Sequence, residues 1–160
     1  MLSRRVLGGT SAVAMTVGLL PAAAVGSSRS NRNISEARTV TNHKLSETRK
    51  LINITGTGAV GLVDGRIGAR SVHGAFRDVG QFTNSGTEID RGTEFDGRGS
   101  RSFVQHLDLA VNNGRVTVTG TGTWTGGTGA YRHARGSFKL SGGGPIRGVL
   151  TSHLKGSISY

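Results

Sequence analysis

Tyr131, His133 and Arg135 alternate along one short segment. On a β-strand all three would project to one side, with Arg132, Ala134 and Gly136 on the other. A phenol, an imidazole and a guanidinium gathered inside an apolar pocket would form its polar end, holding one polar group of a mostly apolar guest. Trp124 and Phe138 lie either side of the segment and are candidates for the apolar wall, plain core being the other reading. A guanidinium taken out of water needs a carboxylate, so Glu88, Asp90, Glu94, Asp96 or Asp108 is expected close to Arg135. Asp90 and Asp108 are the candidates for that counter-charge. The alternative is that Arg135 ties the wall together by a salt bridge and meets no guest.

Glu88, Asp90, Glu94 and Asp96 put four of the nine acids of the chain into nine residues. A general acid/base pair, or a weak oxygen-ligand cation site, would use such a cluster. The spacing fits no calcium loop, however, and Arg91, Arg98 and Arg101 are interleaved. The plainer reading is a solvated edge held by its neighbouring arginines. The histidines 43, 73, 106, 133 and 153 are scattered without a zinc pattern, and no serine sits in G-x-S-x-G. Gly56, Gly58 and Gly61 precede no βαβ unit, so dinucleotide binding is excluded and no cofactor is expected.

From Thr48 onward Val, Ile, Thr and Phe alternate with small or polar residues between closely spaced glycines, which is a β pattern. Phe103, Leu107, Leu109 and Val111 share one strand face, interrupted by Gln105, and His106 and Asp108 share the other. Asn113-Gly114 is the strongest short-range hairpin signal, because both central turn positions need positive φ. The return strand puts Val116, Val118 and Trp124 on one face and a run of alternate threonines on the other. Further strands are expected at Lys50–Thr57, Ser71–Phe82, Tyr131–Leu140 and Gly148–Ser159, with Gly126–Gly129 as a turn. Short strands with glycine corners mean a sandwich or a closed barrel, and the in-strand Gly120 and Gly122 favour the barrel.

The stretch Gly126-Gly127-Thr128-Gly129-Ala130-Tyr131-Arg132-His133-Ala134-Arg135-Gly136 closely resembles the G-G-T-G-x-[FY]-R-x-A-R-G signature of plant dirigent proteins. Those share an eight-stranded barrel with allene oxide cyclases. The resemblance is strongest from Asn113 to Leu140, and Ala130 stands where many dirigent proteins carry an acid. It implies an all-β fold, a single antiparallel eight-stranded β-barrel. It also implies a small hydrophobic ligand whose cyclisation or coupling the barrel directs, an isomerase-like role. Arg135, Tyr131, Asp90 and Asp108 are then the catalytic candidates, and Trp124, His133 and Phe138 the ligand contacts. Plant relatives form trimers, so a homo-oligomer is implied as well.

The amino-terminal residues read as an export signal. Arg4-Arg5 precede an apolar run, Ala12 to Leu20, and then Pro21-Ala22-Ala23-Ala24, a layout of twin-arginine type. Residues 1–24 are assigned to the cleaved signal, 25–47 to a flexible leader poor in large apolar side chains, and 48–160 to the barrel. The apolar run is too short for a retained membrane anchor, and a secreted, extracellular protein is expected. Cleavage after Ala24 would remove two arginines and lower the net charge from +11 to +9. With no cysteine there is neither a disulfide nor a thiol nucleophile. Lys and Arg are dispersed and aromatics few, which argues against specific nucleic-acid binding. Charge alone leaves a second role open, a non-enzymatic module that binds anionic cell-wall polymers or polysaccharide.

Overall fold

The computed structural model describes residues 40–55, 57–83 and 86–160. The signal expected at residues 1–24 and most of the leader lie outside the described residues. Eight strands follow one another as β1 (Asn42–Thr55), β2 (Gly58–Ile67), β3 (Arg70–Phe82), β4 (Thr87–Asp96), β5 (Gly99–Asn112), β6 (Arg115–Gly127), β7 (Arg135–Pro145) and β8 (Thr151–Ser159). Each pairs antiparallel with its successor, and β8 pairs back onto β1, so the sheet closes into a barrel with no free edge. The eight-stranded antiparallel barrel is therefore the fold.

Asn113 (φ 49°) and Gly114 (φ 73°) make the tight β5–β6 turn as expected. Alternation also holds along β5: Arg101, Phe103, Gln105 and Leu107 are buried, while His106 and Asp108 face outward.

β1, β4 and β7 differ from expectation, and β2 is not among the expected strands. β1 starts at Asn42, inside the segment assigned to the leader, and Leu45 and Glu47 are buried in the wall. The pattern conceals this because its inward residues include Glu47 and Arg49 while Lys44, Ser46 and Lys50 face out. β4 is the acid cluster itself, turned inside out. Asp90 and Glu94 are buried and Phe95 is exposed, so the solvated-edge reading is overturned for these two acids.

Between β6 and β7 the chain makes a 3₁₀ turn, Gly129–Tyr131, that plugs one end of the barrel. Thr128 N–H donates to Ser100 O (2.9 Å) and Ala130 N–H to Arg98 O (3.0 Å), tying the turn to β5 and the turn before it. Gly129 has φ 57°, and a side chain there would run into the Arg98 carbonyl, so the position demands glycine. The expected strand from Tyr131 is thus a turn, and β7 begins only at Arg135. Periodicity changes with it. Tyr131 and Ala134 are fully buried, whereas His133 and Arg135 are exposed. The placement of Arg135 and His133 inside the barrel is therefore corrected. The Arg135 Nη1 donates to the Ala134 carbonyl at 2.7 Å, not to an interior carboxylate.

Tyr131 fastens the plug. Its hydroxyl donates to Asp96 Oδ2 (2.5 Å) and accepts a hydrogen bond from Arg70, whose Nη1 lies 3.5 Å from the same carboxylate oxygen. Burial, then the hydrogen bond to Asp96, push the Tyr131 phenol up to about 12 against the opposing pull of Arg70. Burial works against charge on Asp96, yet the donors Tyr131 and Arg98 N–H, with Arg70, hold its carboxyl below the usual range. Tyr131→Phe leaves Asp96 short of a donor and should cost about 1–3 kcal/mol, read from urea unfolding. An unchanged midpoint would show that these hydrogen bonds contribute nothing to the plug.

Candidate functional site

The middle of the barrel is filled, and its filling is ionic as well as aromatic. Phe103, Trp124 and Phe138 form a buried triangle with ring centroids 5.0–6.2 Å apart. The guanidinium of Arg49 lies over Phe103 (4.2 Å to the centroid), and that of Arg101 over Trp124 (4.9 Å). A chain of charges crosses this layer. Glu47 pairs with Arg101 (2.8 Å), Arg101 with Glu94 (2.5 Å), and Arg49 Nε donates to Glu94 Oε1 (2.7 Å). Arg49 Nη1 then donates to Gln105 Oε1 (2.9 Å), and Gln105 Nε2 to Asp90 Oδ2 (2.8 Å). A buried guanidinium does have its carboxylate, as expected, but the arginines concerned are 49 and 101 rather than 135. Trp124 and Phe138 belong to this packed layer and do not line the cavity described next.

Above the layer the barrel opens at the end carrying the β1–β2, β3–β4, β5–β6 and β7–β8 connections. The cavity there holds about 790 Å³ of unoccupied space, rim included. One side is apolar, formed by Leu51, Leu107, Leu109, Val116, Val118 and Leu140. The other carries Asp78, Glu88 and Asp90, with Arg49, Phe76 and Gln105 at the floor. β3 and β4 deliver the acids because Asp78, Glu88 and Asp90 all fall on inward positions of adjacent strands, with Gly80 paired to Asp90. A side chain at Gly80 would collide with the carboxyl oxygens of both Glu88 and Asp90, so the glycine leaves the room in which these two meet.

The carboxyls of Glu88 and Asp90 meet over Gly80, and both take up protons more readily than usual. Burial first, then the charge of Asp90 and a hydrogen bond with it, raise Glu88 to about 7. Burial also raises Asp90, against the pull of Gln105, Glu88 and Arg49. Asp78 rises to about 6, from burial and from the charge of Asp90. Asp90 Oδ1 is buried with no donor of its own in the ionised state, and a protonated Glu88 supplies one. The chemistry available is therefore that of a carboxylic acid that gains and loses its proton near pH 7 beside an apolar wall.

Of the expected catalytic and ligand-contact residues Asp90 alone lines this cavity, joined by Glu88 from the acid cluster. Tyr131 is buried in the plug at the far end, and Asp108, His133 and Arg135 are on the outside. Arg49, Gln105 and Asp78 were not singled out. The signal that could have found them is a charged or amide residue at an inward position of an otherwise alternating strand, as at Gln105.

No family model and no curated protein matches the chain. Among solved structures, that of a pterocarpan synthase dirigent protein is similar, with 12% identity, a TM-score of 0.43, and coverage of 76% of this chain and 84% of that one. The barrel itself stands on the strand pairing already described.

Proposed function

We propose that the chain binds a small, mostly apolar guest in the open end of the barrel and orients it against Glu88 and Asp90. The single observation that carries this reading is the two-sided cavity, aliphatic on one wall and lined on the other by two carboxyls that meet over Gly80. Among the described residues the acids 47, 78, 88, 90 and 94 face the interior with only Arg49 and Arg101 against them, which favours retention of protons there at neutral pH. A neutral Glu88 can donate a hydrogen bond to a carbonyl or ether oxygen of the guest. It can also give its proton to that oxygen as negative charge develops there during ring closure or coupling, and bulk water at the mouth returns a proton to Glu88 afterwards. Holding the guest in one pose is the larger part of such a contribution.

The test is saturable binding of N-phenyl-1-naphthylamine, a neutral apolar fluorophore. Val118→Trp fills the cavity from its apolar wall and should weaken the probe by at least about tenfold, while Glu88→Gln should change it by less than about twofold. Absence of saturable binding, or equal binding by the Val118→Trp protein, would overturn the reading.

A further inference from the structure

Sending acids inward leaves the outside of the barrel far more basic than the composition suggests. Among the described residues twelve Lys and Arg side chains are exposed, against only Asp64 and Asp108. The distribution round the barrel is uneven. β2 to β4 expose Val60, Leu62, Val79 and Phe95, with Asp64 and His73 paired at 2.7 Å. β6, β7, β8 and β1 expose no acid and no Phe, Tyr or Trp; their outward positions are serine, threonine, asparagine, lysine, arginine and histidine, apart from Pro145, Gly156 and, near the rim of β1, Ile52 and Ile54.

At the centre of this face Lys139 and Lys155 stand directly opposite each other across β7 and β8. Both are exposed, and no described acid pairs with either. Like charges in that position destabilise a sheet, and nothing in the barrel offsets them. They border a shallow groove of about 950 Å³ whose other walls include His106, Thr121, Thr123 and Ser137. Thr117, Thr119, Thr121, Thr123 and Thr125 run along β6 beside it, all exposed, presenting a hydroxyl at each outward position, roughly every 6.7 Å.

We propose that this face binds a linear polyanion of phosphodiester-linked polyol units, with Lys139 and Lys155 straddling one phosphate and the threonine row hydrogen-bonding the neighbouring phosphate and hydroxyl oxygens. Charge complementarity selects an anion, the hydroxyl row selects a partner rich in oxygen acceptors, and the lack of exposed Phe, Tyr and Trp on this face disfavours stacked bases. The inference stands apart from the guest cavity, which lies inside the barrel.

The experiment is titration of the whole protein with synthetic poly(glycerol phosphate), and with single-stranded DNA of matched charge, over a series of salt concentrations. Poly(glycerol phosphate) should bind more tightly than the DNA. The double substitution Lys139→Gln, Lys155→Gln should weaken it by at least about tenfold and flatten the salt dependence by between about one and two phosphate contacts, with no drop in melting temperature. The pair Arg77→Gln, Arg91→Gln removes equal charge from β3 and β4 and should leave binding within about twofold. Failure of poly(glycerol phosphate) to bind, equal losses in the two double variants, or tighter binding of DNA would each overturn the proposal.

Discussion

Glu94→Ala should cost the barrel about 3–5 kcal/mol, the largest loss expected of any single substitution in its interior. Glu94 is 1% exposed and joins two guanidiniums, each 2% exposed. Removing it leaves Arg49 with the Gln105 carbonyl and three aromatic faces, none of which carries a full negative charge. Arg101 fares better, because Glu47 remains 2.8 Å away. Glu47 also loses the negative neighbour that helps keep its carboxyl protonated, so it ionises more readily and repairs part of the damage. That compensation places the expected loss toward the lower end of the range and predicts an asymmetry: Arg49 is the side chain left exposed to the full penalty. Urea unfolding reads the loss directly, and the melting temperature should fall by roughly 10 °C. A loss below about 1 kcal/mol would mean that water reaches the middle layer and that the charge chain is solvated.

The same chain of charges explains what could and could not be read from the residues. The closed barrel was legible, since Asn113-Gly114, the threonine alternation of β6 and the glycine corners are local signals that survive in the folded chain. So was the rule that a buried arginine requires a carboxylate. Which arginine was not legible, because the answer turns on strand phase. The 3₁₀ turn at Gly129–Tyr131 shifts the phase of the following residues and puts Arg135 outside, although its spacing from Tyr131 suits a strand. Conversely Arg49 and Glu47 look like solvated charges until closure of the barrel sets them against Glu94, Arg101 and the aromatic layer. The candidate site was half visible for the same reason. An acid cluster on a strand whose apolar residues are Ile89 and Phe95 reads as a surface edge by hydrophobic pattern. Only closure of the barrel, which puts Glu88 and Asp90 opposite the leucines and valines of β5 to β7, shows that the polar face is the inner one.

The ionic interior also sets the direction in which pH acts on stability. Burial first, then the charge of Glu94, raise Glu47 from its ordinary 4.5 to about 7, in spite of Arg101 and Arg49. Glu88 moves to about 7 and Asp78 to about 6 for related reasons. For such groups the folded chain holds protons that the unfolded chain has released, so stability declines as pH rises through the interval from about 4.5 to 7 and is constant above it. Glu47 is the most deeply buried of the three, with a fully covered side chain, and it alone should account for roughly 3 kcal/mol of that decline. Asp96 acts in the opposite sense: its carboxyl is held down, so its contribution is present above its ordinary value and is lost as pH falls below it. The two effects together put the stability maximum on the acid side, near pH 4. Urea midpoints measured from pH 5 to pH 8 should fall for the natural chain. Glu47→Gln, which keeps the volume and removes the ionisation, should flatten that slope and be the more stable protein at pH 8. A midpoint that rises or stays level across the interval in the natural chain would show that Glu47 is ionised throughout, held by Arg101 strongly enough to overcome its burial.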